Sequence, residues 1–123
     1  MTAAVVALTL LAALAVFQGL LVAGQPLGRF AWGGQHEVLP PNLRIGSAVS
    51  IGLYAAFAVL ILQAAGVISP LPDGVAVVAI WVLTGYLVLG IGMNAISRSR
   101  PERLTMTPVV ALLAGSCLVL ALG

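Results

Sequence analysis

Few side chains in this sequence could perform chemistry, and one stretch holds two of them side by side. The segment Phe30–Arg44, FAWGGQHEVLPPNLR, holds the sole histidine, His36, beside Glu37, between a glycine pair and a proline pair. An imidazole next to a carboxylate supplies the groups that a general acid and base require, and a membrane enzyme acting on lipid phosphates would use them. The pair lacks a nucleophile, a metal or a third orienting group. The segment therefore reads better as an interfacial anchor at Trp32, a turn at Gly33-Gly34 and a solvated tip at His36-Glu37. Zinc needs about three or four ligands, and this pair offers two. Cys117 stands alone in an apolar run, which excludes disulfides within the chain and cysteine-based metal sites. One histidine excludes bis-His haem, and its place outside the apolar runs disfavours single-ligand haem. No catalytic residue, metal or cofactor is expected.

Five arginines form the second group. Arg29 and Arg44 flank the first loop, and Arg98, Arg100 and Arg103 lie in SRSRPERL. Arg44, Arg100 and Arg103 fall at predicted helix starts, where a cation opposes the helix dipole by roughly 0.3–1 kcal/mol at exposed sites. Lipid phosphate would offset this. Arg29, His36, Glu37, Arg44, Arg100 and Arg103 thus make a candidate anion or lipid-headgroup rim, completed if the first loop folds over. On the simpler reading the arginines set topology and meet bulk headgroups.

The third group is polar but embedded in apolar sequence. Gln18, Gln63, Thr84 and Tyr86 could line a polar cavity for a neutral solute. Interhelical hydrogen bonds, worth on average about 0.6 kcal/mol in membranes, account for the amides equally simply. No ionisable side chain lies centrally in any apolar run. That disfavours a proton-coupled exporter of the small multidrug type, which requires a membrane-buried carboxylate.

The elements that must position these groups follow from composition. The chain has 123 residues, is 62% hydrophobic and 7% charged, and has a mean hydropathy of +1.20. A soluble domain carries roughly a quarter charged residues. Lysine is absent, and a pI near 9.3 resting on five arginines is too sparse a charge for a nucleic-acid surface. Four runs, at about 2–24, 43–66, 74–94 and 100–122, are long enough for a hydrocarbon core that takes roughly 20 helical residues. An all-α, antiparallel four-helix transmembrane bundle in a single domain is expected. The first run lacks a basic n-region and exceeds the length of a signal-peptide core.

Local chemistry marks the helix ends. Asn42 is placed to cap the second helix and Asp73 the third. Ser99 and Glu102 form an S-x-x-E capping box with Pro101 in the first turn. That start leaves Pro108 inside the fourth helix, predicting a kink or a short interfacial turn. Starting instead at Thr107 leaves about 15 residues, roughly 22 Å, too short to favour. Arginines occur only in loops 25–42 and 95–99 and at the adjoining helix starts. The positive-inside rule therefore predicts both loops in the cytoplasm and both termini outside. Small residues recur at Ala48, Gly52 and Ala56, at Thr107, Ala111 and Gly115, and at Gly85, Gly90 and Gly92. They predict close helix packing within the chain, with the outer seam of a homo-oligomer as the alternative.

Two segments, AWGGQHEVLPPNLR followed by GSAVS, and NAISRSRPERLTMTP, resemble a group of small uncharacterised four-helix membrane proteins of high-GC, actinobacterial-type bacteria. The likeness covers the two basic loops and adjoining helix ends, about a third of the chain. It implies a bacterial plasma-membrane protein of four helices. That group has no assigned activity, so no functional residue carries over. The sequence thus points first to a non-enzymatic accessory or interaction subunit, as a homo-oligomer or in a larger membrane complex. A small channel or transporter for a neutral solute comes second, and an enzyme acting on lipid phosphates third.

Overall fold

Each of the four apolar runs is a helix in the computed structural model, which describes residues 1–123. Helix α1 spans Thr2–Val22, α2 Pro41–Ala64, α3 Asp73–Ala95 and α4 Arg100–Leu122, with two 3-10 turns, Gly28–Phe30 and Trp32–Gly34, between α1 and α2. All four are long and apolar enough to cross a membrane; at 1.5 Å per residue the shortest reaches about 31 Å. The protein is an all-α, multi-pass four-helix bundle.

The helix ends correct the expected boundaries, for reasons of backbone geometry. Gly24 and Gly66 sit at φ +88° and +80°, just past the ends of α1 and α2. Beside them the Gln25 N–H reaches Leu20 O and the Val67 N–H reaches Leu62 O, both at 3.0 Å. This is the glycine-dependent helix stop that satisfies the last carbonyls, so both helices finish before the glycine. Helix α2 starts earlier than expected. Pro40 is extended, as a residue before proline tends to be, and Pro41 takes the first helical position. Asn42 therefore lies inside the helix and caps nothing. Asp73 likewise sits in the first turn of α3, with Pro72 at the cap position. Helix α4 starts where the Ser99 side chain predicts and continues unbroken through Pro108.

Helices α3 and α4 pack most extensively, α1 lies along α2 and against α4, and α2 and α3 meet least. The main core occupies one end of the bundle. There Ala4, Ala7 and Leu11 of α1 meet Ile61 of α2, Leu83 and Leu87 of α3, and Leu113, Ala114 and Cys117 of α4. A small second cluster, Leu21, Ala31 and Leu39, seats the first loop at the opposite end.

The small-residue stripes do not hold the bundle together. Ala48, Gly52 and Ala56 are all exposed, as are Ala111, Gly115, Gly85 and Gly92. A Cβ added at Gly52 or Gly115 would meet nothing within 4 Å; only Gly90 faces a neighbour, Val110. On α2 the inward positions Ser47, Tyr54 and Ile61 are spaced by seven residues, and the stripe falls on the other side.

Candidate functional site

The first loop folds under the bundle because three consecutive residues adopt left-handed backbone. Trp32, Gly33 and Gly34 have φ of +53°, +76° and +72°. For a bulky residue such as Trp32 this costs of order 1–3 kcal/mol, and its surroundings oppose release. Its indole N–H donates to Ser47 Oγ at 3.1 Å. Its ring lies against Gly46, where an added Cβ would come within 2.9 Å of the ring carbons. Upstream, the Gly28 N–H donates to Glu37 O at 2.8 Å, and a Cβ at Gly28 would collide with the His36 carbonyl.

The loop is also fastened to the start of α4. Ser99 Oγ accepts from the Glu102 N–H at 3.4 Å and donates to the Arg29 carbonyl. The reciprocal arm of the capping box is missing. Ser97 Oγ takes the Ser99 N–H at 3.2 Å, which frees the Glu102 carboxylate. That carboxylate accepts from the Ser97 hydroxyl and, at 3.4 Å, from the Gly33 N–H of the first loop. Only 8% of Glu102 is exposed.

Above this floor is a cavity of about 550 Å³. Every helix contributes to it: Gln18 from α1, Ser50 and Tyr54 from α2, Tyr86 and Asn94 from α3, and Glu102 from α4, with Phe30 and Trp32 from the loop. Gln18 Nε2 donates to Tyr54 OH at 3.3 Å, while Gln18 Oε1 is buried and has no partner. Asn94 and Ser50 donate to carbonyls of their own helices, Gly90 O and Gly46 O, at 2.8 and 3.0 Å.

Of the four residues expected to form a polar cavity, Gln18 and Tyr86 share this one and the other two lie elsewhere. Gln63, in the last turn of α2, donates to Leu71 O at 2.7 Å and accepts from the Leu71 N–H at 3.2 Å, fixing the loop between α2 and α3. Thr84 is buried and donates to Ile80 O at 2.8 Å in its own helix. Such back-bonding to the preceding turn is the ordinary recourse of a threonine inside a helix.

The six rim residues lie on one end of the bundle without sharing a partner. The Arg29 guanidinium stands 5.0 Å over the Phe30 ring. Arg44 Nε donates to Leu39 O at 2.9 Å, and Arg103 Nη1 donates to Ser97 O at 3.1 Å. Arg100, His36 and Glu37 are exposed. Charge opposing the α2 and α4 dipoles is thus met by carbonyls of the adjoining loops.

Sequence reasoning missed Glu102 as a cavity group because S-x-x-E already gave its carboxylate a task. The available signal was Ser97, a second hydroxyl able to serve the Ser99 N–H. Comparison of the chain with family models, curated proteins and solved structures finds no match.

Proposed function

We propose that the protein is a membrane-embedded binding or carrier protein for a small, largely apolar solute with one polar end, held in the cavity at the arginine-bearing end. The observation that carries this is the cavity itself. At about 550 Å³ it falls within the roughly 300–1,000 Å³ of small-molecule sites, with the expected mainly apolar walls and few convergent polar groups. An apolar groove adjoins it. Where α2 and α3 diverge, Leu53, Phe57, Leu60, Val82 and Tyr86 line an apolar groove of about 380 Å³ on the lipid side. Tyr86 borders both spaces. The Ser99 hydroxyl donating to the Arg29 carbonyl and the Gly33 N–H donating to Glu102 join the two arginine-bearing loops at one end, in keeping with a cytoplasmic placement of that end by the positive-inside rule.

The test uses Trp32 as a reporter in a Trp81→Phe background, with the full chain in lipid nanodiscs. Small aromatic solutes should change its emission saturably. Gly90→Leu, which projects a side chain into the cavity wall, should abolish saturation while leaving the helical circular dichroism intact. Saturation unaffected by that substitution would place binding elsewhere.

The outward stripes on α2 and α4 favour a second reading, a homo-oligomer or accessory subunit in which small residues meet a partner helix. Crosslinking in membranes that is lost on Gly52→Leu would support it. The exposed Arg98 and Arg100 would then, as in the carrier, contact anionic headgroups.

A further inference from the structure

Two properties of the cavity are independent of its size and point to the charge of its occupant. The first is Glu102. It is the only charged side chain in the lining, and it is more than nine-tenths buried. A buried carboxylate without a cation is costly, and natural structures pair such groups. Five arginines share this end of the bundle, yet none pairs with Glu102. Arg44 and Arg103 donate to carbonyls and Arg29 stacks on Phe30. Its two partners are neutral: the Ser97 hydroxyl is close, and the Gly33 N–H is at 3.4 Å, long for a bond to a carboxylate.

The second is the wall. The chain has seven aromatic residues, and five of them, Phe17, Phe30, Trp32, Tyr54 and Tyr86, line this one cavity. They come from α1, the first loop, α2 and α3, so folding rather than local sequence gathers them. Aromatic faces attract cations, most strongly where water is excluded, and an aromatic cage is the usual receptor for alkylammonium groups. The buried, unpartnered Gln18 Oε1 adds an acceptor.

We infer that the occupant is an organic monocation, with an apolar body against the aromatic walls and its positive charge held by Glu102. This rests on the reading of the cavity as a ligand site. The groove beside the cavity favours the same chemistry. Its lining is apolar side chains and Tyr86, so a cation whose charge is shielded by alkyl or aryl groups gives up less hydration against it than a metal ion or primary amine would.

The test compares benzyltrimethylammonium with its neutral isostere neopentylbenzene. The full chain, in phosphatidylcholine nanodiscs and a Trp81→Phe background, reports through Trp32 emission, and empty discs correct for partitioning. The native cavity should bind the cation roughly 30-fold or more tightly than the isostere, since a buried charge pair is at stake. Glu102→Gln should remove most of that preference and leave isostere binding within about threefold, because the amide keeps the size and the acceptor oxygen. Tyr86→Leu should weaken the cation several-fold more than the isostere. It leaves the floor intact, and so decides the matter if Glu102→Gln disturbs the loop. Equal binding of the two probes by the native chain, or an unchanged preference in both variants, overturns the cation assignment while the ligand cavity stands. Saturable binding of neither probe removes the cavity reading itself.

Discussion

The two ends of this bundle are built from equally apolar helices and come out opposite in kind. At one end Ala4, Ala7 and Ala114 let helices approach until Leu11, Ile61, Leu83 and Leu113 fill the space between them. At the other, Phe17 and Tyr54 line a space that the first loop bounds from below without filling, with the exposed Tyr86 and Met93 at its edge. Lipid supplies no hydrophobic force to collapse such a gap, because helices in a membrane associate by packing and occasional polar contacts. Side-chain shape, rather than hydropathy, divides the closed end from the hollow one.

The largest effect that would sharpen this contrast comes from equivalent truncations at the two ends. Ile61→Ala, at a position 0% exposed, should destabilise the protein by about 2–5 kcal/mol in a detergent-titration unfolding experiment. Met106→Ala, half-buried on the wall of the existing cavity, should cost distinctly less. Equal losses would mean the hollow end packs as tightly as the closed one.

Next in size are the two glycines of the loop floor, which share a left-handed backbone and differ in space. Gly34→Ala collides with Ser99, and Gly33→Ala meets nothing within 4 Å. Gly33→Ala should cost about 1–2 kcal/mol from backbone alone, and Gly34→Ala distinctly more, with faster amide exchange across residues 30–34. A Gly34→Ala no worse than Gly33→Ala would show that the loop does not press on α4.

A smaller loss, about 1 kcal/mol, is expected for Ser99→Ala, which removes the α4 cap and the tie to the Arg29 carbonyl. It should loosen the loop and leave the closed end unchanged, as amide exchange resolved by segment would reveal. The smallest belongs to the outward stripe. Gly52→Leu should move stability by no more than about 0.5 kcal/mol, and a larger loss would place Gly52 in a contact that a single chain does not provide.

Much of the fold was legible in the sequence, for a simple reason. Uninterrupted apolar runs of this length have few uses other than spanning a bilayer. Prolines and glycines located the helix ends to within a few residues. The errors arose where a cap candidate competed with a rigid neighbour, as Asn42 did with Pro41 and Asp73 with Pro72. Helix facing was not legible, because a helix apolar on every side carries little periodic signal to say which side turns inward. Sequence alone therefore does not separate the outward stripe of Ala48, Gly52 and Ala56 from an inward one, nor Gln63 and Thr84 from the cavity residues Gln18 and Tyr86. Glu102 stayed hidden because the motif that explained its presence also explained its charge.

Accessibility of single cysteines tests the central claim of a hollow, cation-accepting end most directly. In a Cys117→Ser background, Ser50→Cys places a thiol on the cavity wall and Ile61→Cys places one in the closed core. The account predicts that Ser50→Cys reacts with a cationic methanethiosulfonate at least about tenfold faster than with an anionic one, while Ile61→Cys reacts with neither. A Ser50→Cys thiol as inert as the one at Ile61, or one that prefers the anionic reagent, would contradict it.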